Sequence, residues 1–318
     1  MRVSTSMVYD SGRNAIQRQS AQMLHTQQQV ASGRRILSPS DDPIAAARAL
    51  EVTQSQRGNA QCQTNIGSAR DALTALESDL GAIGDIVTYI RTRAIEAGNA
   101  GFTPAEHAAI ATDVEAQFNA LLGIANGKEA TGEYRFAGYQ STQAPFSGGA
   151  AAPPAGPTAV TYAGDEGARG VQVSASRTMT VAEPGSRVFM VAPDPVTGVP
   201  ESQLFRGISD FLTELQKSAG DPTRDISAAV DNALGSMDAA LDNVLTIRAS
   251  VGSRMAQLDA LEELNAAYGE QYAQTLSRLQ DLDYAEAITR LSQQQTILEA
   301  AQQSFVRVSG LSLFDYLR

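Results

Sequence analysis

The sequence predicts a mainly α-helical, elongated rod with an inserted β-rich domain, in which the N- and C-terminal helices pair in a coiled coil. Apolar residues recur three and four positions apart over long stretches in both flanks, which is the heptad pattern of packed helices. The middle, from Lys128 to about Pro200, is instead rich in Gly, Pro, Thr and Val. Aromatic residues make up 6% of the chain, which suits thin helical packing better than a thick core.

The first long helix is expected to begin at Pro43, with Asp42 as its N-cap, and to end near Gly98. Its predicted contribution to the rod core is Leu73, Leu76, Leu80, Ile83, Val87 and Ile90. Two interior glycines, Gly81 and Gly84, are expected to allow close helix packing.

A second helix is predicted from Thr103 onward, because Thr103 and Glu106 have the spacing of a capping box and Pro104 suits the first helical position. This helix should stop at Asn126-Gly127. The short link between the two helices predicts an antiparallel pair.

The middle region predicts strands around Val160–Tyr162, Val171–Val173 and Thr178–Val181, which contain β-branched residues in near-alternation. Turns are expected at Gly164–Gly167 and at Pro184-Gly185. The Gly-, Ala- and Pro-rich run 148–157 is predicted to be a loop.

A third long helix is expected to open at Asp221-Pro222 and to run for about 55–60 residues at 1.5 Å per residue. Its predicted rod-core residues are Val230, Met237, Val244, Ile247 and Val251.

Both chain ends look helical but are poor in apolar residues. Ordering 40 residues costs roughly 40–80 kcal/mol of backbone entropy, and the apolar side chains of residues 1–40 repay about half of this at best. We therefore expect the ends to be disordered in the monomer and helical only against each other and against neighbouring subunits. The residues predicted for subunit packing are Met7, Met23, Val30, Leu291, Leu298, Phe305, Leu311, Leu313 and Phe314.

Three domains follow from these patterns. Residues 1–42 with 281–318 form the terminal coiled coil, residues 43–127 with 205–280 form the α-helical rod, and residues 128–204 form the β-rich outer domain.

Charge and residue content exclude several functions. The net charge of −11 argues against binding to nucleic acid or to an anionic membrane surface. A single cysteine, Cys62, permits no intrachain disulfide. The two histidines, His25 and His107, have no Cys or His at ligand spacing, and helix caps or turns account for Asp41-Asp42 and for Asp281 with Asp283. No catalytic, metal or cofactor-binding residues are predicted, and no cofactor is expected.

Motifs at both ends resemble the bacterial flagellin family. They are Ser32-Gly-Arg-Arg-Ile36 with Pro39-Ser-Asp-Asp-Pro43 near the start, and Leu279-Gln-Asp-Leu-Asp-Tyr-Ala-Glu-Ala-Ile288 near the end. The tail continues the likeness with the segments Gln293–Phe305 and Ser312–Leu317. The opening Arg2-Val-Ser-Thr5 and the Pro-Ser-Asp-Asp-Pro form resemble the branch of the family at the hook–filament junction more than filament flagellin.

The resemblance implies a flagellin-like fold and a structural subunit that adapts hook to filament and is needed for filament assembly. It implies a homo-oligomeric ring or helical layer, with hook-associated protein 1 and filament flagellin as neighbours. It also implies an extracellular location in the flagellum, reached without a cleaved signal peptide through the flagellar type III export apparatus. A flagellar export chaperone would hold the C-terminal helix, and Leu291, Leu298 and Phe305 inherit that role by position.

The sequence is also compatible with other functions. Filament flagellin is the alternative within the same class, and a signalling coiled coil or an enzyme with its site in the β domain are alternatives outside it. Surface display by the β domain is a further possibility. Arg91 and Arg93 fall where flagellins carry a basic helix face used between subunits and by immune receptors, but a solvated charge pair is sufficient to account for them and is the favoured interpretation.

Overall fold

The computed structural model describes residues 5–129, 131–149, 158–193, 198–218 and 220–310. In chain order these residues form α1 (Thr5–Ser32), α2 (Pro43–Ala97), α3 (Pro104–Ala125), β1 (Phe146–Gly149), β2 (Thr158–Tyr162), β3 (Gly170–Ser174), β4 (Arg177–Thr180), α4 (Gly185–Val188), β5 (Val191–Pro193), β6 (Pro200–Ser202), α5 (Gln203–Gln216), α6 (Ile226–Gln280) and α7 (Tyr284–Gly310). The mainly α-helical fold with a small β-rich insertion is thus confirmed. None of the helices in these ranges combines the length and apolarity needed to cross a membrane.

The chain divides into two compact units. We call Met1–Ala60 with Ala266–Arg318 the terminal unit, and Gln61–Asn265 the central unit. Helices α2 and α6 each contribute residues to both units. The finer division into three domains stays a prediction.

Side-chain caps set the helix starts, and two of them were predicted. Helix α2 begins at Pro43, and Asp42 Oδ1 accepts a hydrogen bond from the backbone N–H of Ala45 at 2.9 Å. Helix α3 has the full capping box, in which the Thr103 and Glu106 side chains each accept from the other residue's backbone N–H. Both motifs are local in sequence, which makes them readable without a structure.

The predicted start of the third long helix was wrong. Asp221 Oδ1 accepts from the backbone N–H of Thr223 at 2.8 Å, so this aspartate closes a turn. Helix α6 begins at Ile226, where Asp225 Oδ1 accepts from the backbone N–H of Ala228 at 3.0 Å. The helix then runs for 55 residues, within the predicted length.

Helix α5 is a separate element that the sequence patterns did not single out. Ser202 caps it by accepting a hydrogen bond from the backbone N–H of Phe205. Its buried face consists of Leu204, Phe205, Ile208, Ser209, Phe211, Leu212 and Leu215.

The β region contains a four-stranded sheet, ordered β1-β2-β6-β5, and a separate β3-β4 hairpin. All of its recorded strand pairs are antiparallel. Two local predictions were wrong here: Gly148 and Gly149 belong to β1, and Gly185 opens the short helix α4 instead of a turn. Most of the predicted loop, residues 150–157, lies outside the described ranges.

Aromatic side chains form the core where the sheet meets the helices. Phe146 lies 4.9 Å from Phe189 and 5.7 Å from Phe205 between ring centroids, and Phe118 lies 5.4 Å from Phe205. Edge-on and tilted contacts at these distances stabilise aromatic clusters beyond the area they bury. One cluster thus brings together six aromatic residues, namely Phe118, Phe136, Phe146, Tyr162, Phe189 and Phe205.

The central unit also contains the rod-core residues named from the sequence. All eleven are buried: Leu73, Leu76, Leu80, Ile83, Val87, Ile90, Val230, Met237, Val244, Ile247 and Val251. Ion pairs between α2 and α6 follow an antiparallel register. Arg70 pairs with Asp259 at 2.5 Å, Glu77 with Arg248 at 2.6 Å, and Arg91 with Asp238 at 2.6 Å.

Candidate subunit interface

The two flanking motifs meet in one joint of the terminal unit. The backbone N–H of Arg35 donates to the carbonyl oxygen of Gln280 at 2.7 Å, and the backbone N–H of Leu282 donates to the carbonyl oxygen of Gly33 at 3.0 Å. Residues separated by about 250 positions in the chain are thus joined by hydrogen bonds between their backbone groups. The joint links the turn between α1 and α2 to the turn between α6 and α7.

The Arg35 side chain stabilises the same joint. Its guanidinium group donates to the carbonyl oxygen of Leu279 at 3.0 Å and pairs with Asp42 at 3.2 Å. Its own carbonyl oxygen accepts from the side-chain amide of Gln29 at 2.6 Å. The last turn of α6 exposes carbonyl oxygens without helical donors, and a cation at this end satisfies one of them.

Asp41 shapes the turn that precedes α2. Its Oδ2 accepts hydrogen bonds from the backbone N–H groups of Ser38 and Leu37, both at 2.9 Å. These two bonds lower the pKa of the Asp41 carboxyl from 3.8 to about 2. The His25 ring lies 3.2 Å from Asp41 Oδ1. The capping and turn roles expected for Asp41 and Asp42 are confirmed.

Gly33 has a positive φ of 70°, a backbone conformation that favours glycine. A Cβ atom at this position would lie 2.9 Å from the hydroxyl oxygen of Tyr284. The glycine therefore permits both the end of α1 and the close approach of α7. Asp283 caps α7 from the other side, because its Oδ1 accepts from the backbone N–H groups of Ala285 and Glu286.

Helices α1 and α7 run antiparallel and contact each other along their length. The rings of Tyr9 and Phe305 meet edge to face at 5.9 Å. Phe305 also lies over Gly12, where a Cβ would come within 2.6 Å of the ring. Further along, the Gln19 side-chain amide donates to the carbonyl oxygen of Gln294 at 3.4 Å.

The predicted subunit-packing residues fall into three groups. Met7 is 65% exposed. Five are half-buried: Met23, Val30, Leu291, Leu298 and Phe305. The other three, Leu311, Leu313 and Phe314, lie outside the described residues. The side chains of the half-buried group are therefore partly covered by their own chain and partly accessible to another molecule.

The described part of the terminal unit has almost no apolar core of its own. Its buried residues are Thr26, Gln29, Ala45, Ala49, Leu282 and Ala287, of which only Leu282 is a large apolar residue. Its exposed large apolar residues are Met7, Tyr9, Leu24, Ile44, Leu50, Tyr268, Tyr284, Ile288, Ile297 and Val306. A helical unit with so few buried apolar residues gains little stability from its own packing.

Most of these exposed residues were not identified from the sequence. Ile44 and Leu50, for example, are exposed on α2, whereas their neighbours Ala45 and Ala49 are buried. In the sequence these four residues lie in one Ala-rich stretch that only Arg48 interrupts, so their directions become clear only once the buried face is known.

The metal-ligating residue types of the chain include one buried histidine. The described residues contain no group of three or more His, Cys, Asp or Glu side chains placed to hold a metal ion. His107 is buried, and its Nε2 lies 3.0 Å from the carbonyl oxygen of Ala97, which joins α3 to the end of α2.

Arg91 and Arg93 do not form a free basic face. Arg91 pairs with Asp238 at 2.6 Å, while Arg93 pairs with Glu96 and with Asp113, both at 2.7 Å. The Arg93 guanidinium also lies over the Tyr89 ring, 5.1 Å from its centroid. These partners lie within the same chain, so both cations are already compensated.

Two family descriptions match the flanks of the chain. The N-terminal helical region of bacterial flagellin matches residues 3–141, and the C-terminal helical region of bacterial flagellin matches residues 234–317.

Two relatives that align with the chain over their full length are also flagellar proteins. The chain is 30% identical to flagellar hook-associated protein 3 of Escherichia coli strain K12 over 323 residues, or 99% of each protein. It is 29% identical to the Salmonella typhimurium protein of the same name over 329 residues, or 100% of each. The flagellar filament 41 kDa core protein of Borreliella burgdorferi is 24% identical over 123 residues, which cover 39% of this chain and 36% of that protein.

The fold has solved counterparts. Flagellar hook-associated protein-3 from Legionella pneumophila superposes with a TM-score of 0.61 at 19% identity, covering 72% of this chain and 98% of that one. At this identity the superposition bears on the fold alone.

Proposed function

The chain belongs to the bacterial flagellin family, and we propose that it is the structural subunit at the hook–filament junction, where it adapts hook to filament and is needed for filament assembly. One observation carries this proposal. The alignment with hook-associated protein 3 spans 99% of both proteins, from the first helix through the β region to the last helix. The role is structural, and we assign no catalytic step to the chain.

Filament flagellin is the less favoured candidate. The similarity to a filament core protein covers 36% of that protein, whereas the similarity to hook-associated proteins extends over the central insertion as well. The difference in coverage therefore favours the junction role.

The terminal unit supports an assembly role. It exposes ten large apolar side chains and buries one among its described residues, so burial against neighbours would stabilise it substantially. Each such side chain contributes about 1.5–3 kcal/mol when fully buried. In our proposal, copies of this chain form a ring or helical layer in which these residues meet, with the predicted residues Met7, Met23 and Val30 on α1 and Leu291 and Leu298 on α7.

Four further partners are part of the proposal. Hook-associated protein 1 would adjoin the layer on the hook side and filament flagellin on the other. The flagellar type III export apparatus would deliver the chain to the extracellular flagellum, and an export chaperone would hold α7 beforehand. Phe305 contacts Gly12 and Tyr9 of α1, so a chaperone that takes Phe305 must replace these contacts.

Deletion of the gene in its own bacterium tests the proposed function. We expect hooks without filaments by electron microscopy and filament subunits released into the medium, with both effects reversed by the wild-type gene. Copy number in purified flagella separates the two candidates, because a junction subunit is scarce and a filament subunit is abundant. Normal filaments in the deletion strain would contradict a junction role, and a copy number equal to that of the main filament protein would favour filament flagellin.

A truncation tests the tail. Removing residues 309–318 deletes Leu311, Leu313 and Phe314 and should also prevent filament assembly while the shortened protein is still exported. Normal filaments on this truncated protein would remove these three residues from the proposed interface.

A further inference from the structure

A groove of about 390 Å³ lies in the central unit between strand β4 and helix α6. The strand contributes its four residues, Arg177–Thr180. The helix contributes one face, formed by Ser250, Ser253, Arg254 and Gln257. These helical positions are spaced by three and four residues, so their side chains lie on the same side of α6.

The groove is cationic although the unit around it is acidic. In the sequence, Gln61–Asn265 contains 25 Asp and Glu residues against 13 Lys and Arg residues. The groove, in contrast, is lined by two arginines, four Ser or Thr residues, one Met and one Gln, with no carboxylate. This local reversal of charge indicates that the groove is suited to an anion.

Each arginine is placed differently. Arg254 donates to Glu183 at 2.5 Å, and the same carboxylate, which is buried, also accepts from Arg187 at 3.0 Å. One carboxylate thus serves two guanidinium groups. Arg177 donates to the side-chain oxygen of Gln257, a neutral partner, and forms no ion pair within the described residues. Its charge remains uncompensated at the edge of the groove.

The remaining lining suits hydroxyl groups. Ser250 Oγ accepts from Arg254 at 3.2 Å, and Ser253 Oγ accepts from the Gln257 amide at 3.3 Å. A serine hydroxyl can donate one hydrogen bond and accept two, so each retains capacity toward a ligand. Sulfate only accepts hydrogen bonds, whereas a sugar both donates and accepts. The volume also exceeds what a single small ion needs and lies in the range of small-molecule sites.

We propose that this groove binds a sugar acid. Arg177, with Arg254 beside it, pairs with the carboxylate, since guanidinium groups bind carboxylates through two parallel hydrogen bonds. Ser250, Ser253 and Thr178 bind the ring hydroxyls. This binding activity is independent of the proposed role at the hook–filament junction, because none of the residues that line the groove belongs to the terminal unit.

Calorimetric titration of the full-length protein tests the proposal. Glucuronate, glucose and sodium sulfate are titrated at constant ionic strength into wild type and into Arg177→Gln. We expect saturable binding of glucuronate, with affinity at least tenfold above those of glucose and sulfate. Loss of a charge-assisted hydrogen bond should lower the affinity of Arg177→Gln for glucuronate by about tenfold or more.

Two variants complete the design. Arg57→Gln, at an exposed position in the terminal unit, removes the same charge and should leave glucuronate binding unchanged. Ser253→Ala should weaken glucuronate binding but not sulfate binding. Absence of glucuronate binding, equal affinity for sulfate, or equal losses in Arg57→Gln and Arg177→Gln would each overturn the proposal.

Discussion

The guanidinium group of Arg35 donates a hydrogen bond of 3.0 Å to the carbonyl oxygen of Leu279, a residue 244 positions later in the chain. The same group pairs with Asp42, the N-cap of α2. One side chain therefore contacts the end of α6 and the start of α2 within the terminal unit. The joint is formed by residues of the two segments that match the N- and C-terminal helical regions of bacterial flagellin.

Substitution of Arg35 should impair assembly. Arg35→Ala removes the contacts to Leu279 and Asp42, and Arg35→Lys should restore only part of the effect because a lysine lacks the planar fork of donors. We expect fewer hooks to carry filaments when either variant replaces the wild type, counted by electron microscopy. Arg34→Ala is the matched control, since Arg34 joins the same joint through its backbone. Equal filament counts for Arg34→Ala and Arg35→Ala would contradict a specific role for the Arg35 side chain.

Gly33→Ala should also reduce filament number. The φ of 70° costs an L-residue about 1–2 kcal/mol, and the new Cβ would meet the Tyr284 hydroxyl. Gly58→Ala is the control, because the space around Gly58 in α2 is open. The double variant Gly33→Ala with Tyr284→Phe removes the steric contact but keeps the backbone strain. Its filament count should therefore recover only part of the way to the wild-type value. Wild-type filament counts for Gly33→Ala would show that the joint tolerates another geometry.

Core truncation should strongly destabilise the central unit. Leu80 is fully buried in α2, and Leu80→Ala should lower the free energy of unfolding by about 2–5 kcal/mol. Leu245 is 59% exposed in α6, so Leu245→Ala should change the free energy of unfolding by less than about 0.5 kcal/mol. Urea denaturation of the isolated subunit measures both. Similar losses for the two variants would mean that Leu245 is covered in solution.

Two glycine substitutions should act in opposite directions. No atom lies within 4 Å of a Cβ built on Gly84, so the predicted close helix packing does not occur there within the described residues. Gly84→Ala should stabilise the isolated subunit by about 0.5–1 kcal/mol. At Gly207 in α5, a Cβ would lie 2.6 Å from the Cβ and Oγ atoms of Ser236, so Gly207→Ala should destabilise it. Urea denaturation of the isolated subunit measures both effects. A destabilised Gly84→Ala subunit would indicate that the face of α2 at Gly84 is already in contact with other atoms.

Acid should weaken the α3 cap. Hydrogen bonds from the Thr103 backbone N–H and hydroxyl lower the pKa of Glu106 below its ordinary value of 4.5. A carboxyl with a depressed pKa in the folded state stabilises the protein above the unfolded pKa, and this contribution is lost as pH falls through the folded pKa. The urea midpoint of wild type should therefore fall more steeply below pH 4.5 than that of Glu106→Gln. Parallel curves would remove the carboxylate from the cap.

Local features were predictable because their causes are local in the sequence. The caps at Asp42 and Thr103 depend on residues within one turn, and the heptad spacing of α2 and α6 identified side chains that are in fact buried. The helix start predicted at Asp221 was wrong because that prediction also used only the local pattern. Its pattern fits a helix start, but its side chain accepts from Thr223 within a turn, and α6 begins only at Ile226, five residues after Asp221.

Long-range features could not be predicted in this way. Arg35 in the sequence is one of two adjacent arginines, and nothing near it indicates that Leu279 is its partner. The groove between β4 and α6 likewise joins Arg177 to Gln257, which lie 80 positions apart. The position of α5 also depended on packing, because its apolar residues complete an aromatic core contributed by α3 and the sheet.

Amide hydrogen exchange of the isolated subunit tests the central claim most directly, namely that the terminal helices depend on neighbouring subunits for their stability. We predict that amides of α1 and α7 exchange nearly unprotected, while those of residues 66–97 and 226–251 exchange at least about a hundredfold more slowly. In purified hooks with their junctions attached, α1 and α7 should become protected. Terminal helices that are as protected in the lone subunit as the central unit would contradict the claim.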